Sequence, residues 1–287
     1  MKNGNHEGKI KIAGNLHNHK LEEISSAINQ GRKNIALDLS ELQEITVTGG
    51  RAFFSCRYLT EIILPNSLTR INLETFRSCQ NLKLVYLPES LLEIGSYAFE
   101  SCTTLETINI PSHLQKIEAA AFSNCKSLKS IILPNSVKKL GGNIFTSCSS
   151  LQTVILPNSI IEISSNSFYG CTSFRNIVIP DGVKKIGKEA FYECKSLQDI
   201  IIPDGVKSIE SNTFIRCSSL KSIIIPKTIV ELGSDIFQGC LNLKKIYFKG
   251  SEEQWTGMWQ RNPYLVSNNP TRAPVYAKVV FTPNVEF

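Results

Sequence analysis

Only four histidines occur among the 287 residues, His6, His17, His19 and His113, and that scarcity removes much of the chemistry a chain this long might carry. No serine-histidine-aspartate arrangement can be assembled from histidines gathered mostly near one end. The one close pair, His17 and His19, reads as solvated loop side chains ahead of a helix rather than as metal ligands. A glycine-rich phosphate loop is missing, and no two cysteines are closer than 23 residues, so the paired ligands of a zinc site are missing too. An odd number of cysteines, nine, also excludes a fully paired disulfide set. The net charge of +6 comes without an arginine-rich run or a series of stacking aromatics, which argues against a nucleic-acid partner. The first 30 residues contain no apolar core of the length a secretory leader or a membrane span requires. The expectation is a chain that stays inside the cell or a trimmed mature form, with no membrane insertion. Glu252 and Glu253 suit the first turn of a helix better than an acid/base pair. No enzyme signature remains, and neither a cofactor nor a metal is expected.

What is present is a period. The cysteines stand at 56, 79, 102, 125, 148, 171, 194, 217 and 240, every interval being 23 residues, and a phenylalanine precedes each by three places, from Phe53 to Phe237. Such a repeat sets the architecture before any local reading. Counting forward from each cysteine, position +3 is leucine in every unit but one, where it is Phe174, and +6 is always isoleucine or valine. Position +8 is apolar, and proline follows at +9 in eight units. Positions +6 and +8 alternate as an inward-facing strand does, and a proline without an N–H ends that strand. Pairs such as Asn66-Ser67 and Asp181-Gly182 then supply turn chemistry. A second apolar pair at +12 and +15 (Leu68 and Ile71, Val137 and Leu140) predicts a short extended piece before a tight small-Phe-x-x-Cys turn. No unit can bury its own apolar edge, but stacked units can, each side chain landing on its counterpart. Nine units spaced about 4.8 Å apart give a parallel sheet roughly 40 Å long, coiled right-handed.

This register, L-x-x-I-x-I-P-x-S-V-x-x-I-G-x-x-A-F-x-x-C, resembles the BspA-type leucine-rich repeats, also known from treponemes. Leu128-Lys-Ser-Ile-Ile-Leu-Pro134 and Leu220-Lys-Ser-Ile-Ile-Ile-Pro226 carry it clearly, and the resemblance spans about residues 51–260. It departs at +16, where Gly95, Gly141, Gly187 and Gly233 fit but Asn72, Glu118, Ser164 and Glu210 occupy the same place, so a positive φ is not required there. The resemblance implies a bacterial surface protein, at the cell surface or in the periplasm, that adheres to host or microbial partners.

The chain divides into an N-terminal cap (1–50), nine repeats (51–250) and a C-terminal cap with tail (251–287). The whole is mainly β with short helical turns: a leucine-rich-repeat solenoid with one parallel sheet. The N-terminal cap is expected to be strand-helix-strand. Lys9–Ala13 and Ile35–Leu39 alternate, with Ile12 one 25-residue step before Leu37, while Leu21, Ile24, Ala27 and Ile28 share a helical face between Asn18 and Gly31. At the other end Lys249 replaces the proline, and Tyr247 to Trp255 matches a closing stretch that the resemblance implies. Trp255, Met258 and Trp259 are placed on one face of a covering helix, and Val275–Phe281 reads as a capping strand or crossing arm.

The informative surface is the outward face of the sheet, positions +4, +5 and +7. Position +7 reads Ile63, Tyr86, Asn109, Ile132, Ile155, Val178, Ile201, Ile224 and Tyr247, apolar or aromatic in all but one unit although it faces outward. Position +4 beside it supplies Lys83, Lys129, Arg175 and Lys221 as a basic rim. β-Branched residues favour strands with no partner at all, but a continuous ridge of this length exceeds what monomers usually expose. The expected role is capture of a protein or peptide, with Tyr86 and Tyr247 as anchors and Ile63, Ile132, Ile155, Val178, Ile201 and Ile224 along the ridge. The alternative is a homo-oligomer that buries the ridge against itself.

Overall fold

The structure is a computed structural model; it describes residues 9–46, 50–261 and 277–282. From residue 50 to residue 261 the chain winds as a solenoid in which each 23-residue unit forms one rung. The nine phenylalanines form a single file, neighbouring ring centroids lying 5.3–5.9 Å apart with planes within 23° of parallel. The leucines at +3, the isoleucines and valines at +6 and the cysteines are all buried beside this file, except Ile177 in repeat 6, which is only partly buried. The turn after each proline closes as its sequence predicts, for example through Leu68 N–H to the Pro65 carbonyl at 3.1 Å.

Three columns of hydrogen bonds tie rung to rung. The first is the expected parallel ladder, with Ile62 opposite Val85, Val154 opposite Ile131 and Ile246 opposite Ile223. It is interrupted at repeats 3 and 6, so the one expected sheet is three parallel segments. Those two repeats are the ones whose strands contain asparagine, Asn109 and Asn176, a residue disfavoured in strands. Repeat 6 also carries the larger Phe174, which stacks on Phe168 at 5.0 Å. The second column is a two-residue ladder at +14 and +15, such as Arg70–Ile71 beside Glu93–Ile94, where the sequence predicted only an extended piece.

The third column lies at the Phe-x-x-Cys turn and explains an unexpected set of conformations. Glu74, Phe76 and Ser78 donate their N–H groups to Ser96, Ala98 and Glu100 of the next rung, at 3.0, 2.8 and 2.7 Å. Glu74 and Ser78 have positive φ, and the same two places, five and one before the cysteine, are left-handed in repeat after repeat. The left-handed turn swings these N–H groups along the stacking axis. Non-glycine residues in this region carry a cost of order 1 kcal/mol each, which the inter-rung hydrogen bonds offset. The sequence partly accommodates it with Asn143, Asn166, Asn212 and Asp235.

The caps follow the expected plan with changes of register. A helix, Asn18–Gly31, sits over the first rung, and Leu21, Ser25 and Ile28 are buried there; Ala27, placed on that face from its spacing, is exposed. Asn29 takes the place of a preceding rung, its amide donating to the Ser55 carbonyl at 3.0 Å and accepting from Arg57 N–H at 2.9 Å. Ile10, not Ile12, lies opposite Leu37, and Gly14, at φ 98°, then turns the chain into a further strand, Gly14–His17, that pairs with Leu42–Thr46. The side chains of His17 and His19 lie outside the described residues. At the far end the helix Glu252–Arg261 buries Trp255 against Phe248 (5.1 Å) together with Met258, while the Trp259 side chain falls outside the described residues. Lys249, standing where proline is absent, donates its N–H to Ile225 at 2.9 Å. The strand Lys278–Phe281 then continues the ladder in parallel, Phe281 opposite Phe248.

Candidate functional site: the outward sheet face

The period-two alternation of each short strand turns +6 into the core and +7 out. Ile132, Ile155, Val178 and Ile201 are 63, 51, 86 and 54% exposed on four consecutive rungs, and Tyr86 is 42% exposed. Register makes this a row rather than a scatter: Ile63 lies opposite Tyr86, Ile132 opposite Ile155, and Ile201, Ile224 and Tyr247 follow in line. Ile63, Ile224 and Tyr247 are half-buried, so the exposed crest of the ridge is repeats 4 to 7. Val178 stands proudest because its rung lacks the ladder pairing that holds its neighbours in line.

The rim is less uniform than its sequence suggests. Lys129 is held by Glu106 at 2.7 Å, and Lys221 donates to the Gln198 side-chain oxygen at 3.2 Å. Lys83 and Arg175 are exposed. At the N-terminal end Lys9 pairs with Glu61 and lies 5.1 Å from the Tyr86 ring centroid, an arrangement the sequence did not suggest. Sequence reasoning also left Lys244, basic at +4 of the last repeat, out of the rim, and passed over Leu84, 40% exposed beside Tyr86, and the cations Lys245 and Lys278. Lys244 and Lys245 were legible as +4 and +5 of the last repeat. Lys278 was not, since its place depends on the closing strand.

Behind this face the cysteines do more than fill space. Each thiol from Cys79 to Cys240 donates to the carbonyl of the phenylalanine one rung back, at 3.0–3.2 Å. Cys56, which has no repeat before it, reaches the Ser25 carbonyl of the cap helix at 3.8 Å. Burial pushes the thiols from Cys56 to Cys217 up, Cys148 to about 12. A group whose pKa is higher folded than unfolded stabilises the fold fully below its unfolded value and loses that contribution as pH rises toward the folded one. Stability is therefore expected to hold up to about pH 9 and to decline between there and pH 12, as the unfolded chain releases thiol protons that the folded one keeps. Urea titrations at pH 7, 9 and 10.5 check this, together with a thiol reagent that should label nothing in the native protein and nine groups after unfolding. Equal midpoints at pH 7 and 10.5 would contradict it.

Among the described residues no group of three or more histidine, cysteine, aspartate or glutamate side chains is placed to hold a metal ion, and no helix is long and apolar enough to cross a membrane. A sequence model of the BspA type leucine rich repeat region matches residues 46–171 and 141–256, in six copies, and the chain belongs to that family. No curated protein matches it. Among solved structures it is similar to a leucine rich cell surface protein of Faecalibacterium prausnitzii, 23% identical with a TM-score of 0.55, over 78% of this chain and 86% of that one. A leucine-rich repeat protein of T. pallidum is 34% identical at a TM-score of 0.53, over 57% of this chain and 78% of its own. A leucine-rich repeat protein of Eubacterium ventriosum, 22% identical, reaches a TM-score of 0.56 over 84% and 68% of the two chains. Chains of this fold are generally binding or surface modules rather than enzymes.

Proposed function

We propose that this protein is a non-catalytic binding module that takes a protein or peptide on the outward face of its sheet, displayed at the bacterial surface. The observation that carries this is the exposed crest Ile132, Ile155, Val178 and Ile201, four branched apolar side chains on consecutive rungs turned to water. Removing even half of such a surface from water is worth several kcal/mol at about 25 cal/mol per Å², enough to anchor a partner. Surface display rests on the family and on the cell surface protein of similar fold.

The test replaces Ile155, Val178 and Ile201 together by serine. Peptides selected on the wild-type protein from a phage-displayed random library are expected to lose at least tenfold in affinity for the variant, while its urea midpoint stays close to wild type. A large drop in stability would mean that these side chains belong to the core. Self-association is checked separately: sedimentation at micromolar concentration is expected to show a monomer, and a concentration-dependent dimer abolished by the same substitutions would instead favour a ridge buried between copies.

A further inference from the structure

The sheet face changes in chemical character from one end to the other, and that gradient describes the partner. At the N-terminal end charges are mixed: Lys9 pairs with Glu61, and Glu106 holds Lys129. Across repeats 4 to 7 the apolar crest is bordered by Ser130, Thr153, Asn176 and Asp199 at +5. Beyond that, among the described residues, every charged side chain on the face is a cation: Lys221, Lys244, Lys245 and Lys278, all exposed, with Lys245 directly opposite Lys278 in the closing pair of strands. Asp199, the carboxylate on the rung before this run, accepts from the Ser222 hydroxyl at 2.6 Å. Like charges on adjacent strands repel and disfavour the free protein; a partner that neutralises them recovers that energy on binding.

We infer that the face takes an extended peptide segment lying across the strands, aliphatic over repeats 4 to 7 and acidic over the lysines of repeats 8 and 9 and the closing strand. This deepens the binding reading above and rests on it. The orientation follows from the backbone: within each paired segment the main-chain groups are spent rung to rung, so an extended partner adds no strand there and reads side chains along the stacking axis. Six rung spacings of about 4.8 Å separate Ile132 from Lys278, about 29 Å, the reach of some nine extended residues. The apolar half supplies affinity; the acidic half fixes direction and makes association salt-dependent.

Fluorescence anisotropy with three labelled decapeptides tests this: one with an aliphatic half followed by Asp and Glu, a second with lysine in place of the acids, and a third keeping the acids but with Ser and Gly in place of the aliphatics. The first is expected to bind at least tenfold more tightly than either other, to weaken with added salt, and to lose at least tenfold on Lys244→Glu, Lys245→Glu protein. Equal binding of the first and second peptides would overturn the acidic half while leaving the apolar reading intact. Binding of the third as tight as the first would reduce the face to a polyanion patch and overturn both. The charge-reversed protein must bind the lysine peptide at least as well as wild type does; loss of both peptides, or a fallen urea midpoint, shifts the test to Lys244→Gln, Lys245→Gln, and no loss of the acidic peptide there overturns the proposal.

Discussion

Phe145→Ala is expected to lower stability by on the order of 3–5 kcal/mol, the range for a fully buried ring whose removal leaves a hole its surroundings cannot fill. Phe145 is wholly inaccessible and lies between Phe122 at 5.9 Å and Phe168 at 5.7 Å. The backbone cannot settle into the gap, because Phe145 N–H is held by Ser167 and Cys171 donates its thiol to the Phe145 carbonyl. Phe237, with one ring neighbour at 5.9 Å among the described residues, is followed by the C-terminal cap rather than another identical rung, and Phe237→Ala should cost less. Urea unfolding of the two variants measures the difference. Equal losses would contradict a stack whose rungs depend mainly on their nearest neighbours.

The second large effect concerns Gly141. Position +16 alternates along the chain: Asn72, Gly95, Glu118, Gly141, Ser164, Gly187, Glu210, Gly233. None of these glycines has a positive φ. Their role is proximity. A Cβ on Gly141 would meet the Ala119 nitrogen at 2.3 Å, and one on Gly233 the Ser211 nitrogen at 2.1 Å, both backbone atoms that cannot swing aside. Each glycine thus presses on a preceding rung that carries a side chain at the same place. Gly141→Ala should force those backbones apart and cost about 1–3 kcal/mol. Glu118→Ala, which removes only a half-exposed ion pair with Lys116, should cost no more than about 1 kcal/mol. If the two variants unfold at the same urea concentration, close packing at the glycines is not what sets the rung spacing.

The stack itself was legible because nine cysteines and nine phenylalanines recur at one interval, and only like-on-like burial satisfies such a repeat. The ridge was legible for the same reason, through the parity of the strand. Three things were hidden. The left-handed turns were, because the chain places Tyr97, Ala120 and Arg216 in them as readily as asparagine, the hydrogen bonds to the next rung overriding local preference. The interruptions at repeats 3 and 6 coincide with one asparagine each, joined in repeat 6 by Phe174, in sequences that otherwise keep the strand pattern. The shift from Ile12 to Ile10 opposite Leu37 lies in a cap that repeats nothing, so no period could report it. At the ridge, the pairing of Lys129 and Lys221 with neighbours on adjacent rungs was equally invisible, since it depends on side-chain rotamers.

Lys278–Phe281 pairs with the last repeat in the same parallel sense as the repeats pair with one another. Nothing in the middle of the molecule therefore counts turns; its extent is decided by the pieces at either extremity. Splicing in or cutting out two adjoining turns, 46 residues, would leave every kind of junction as it was, glycine against side chain included. The protein is thus a ruler with removable divisions of about 10 Å each, and its length can be changed by how many divisions lie between unaltered ends; under the proposed function this would match a longer or shorter partner.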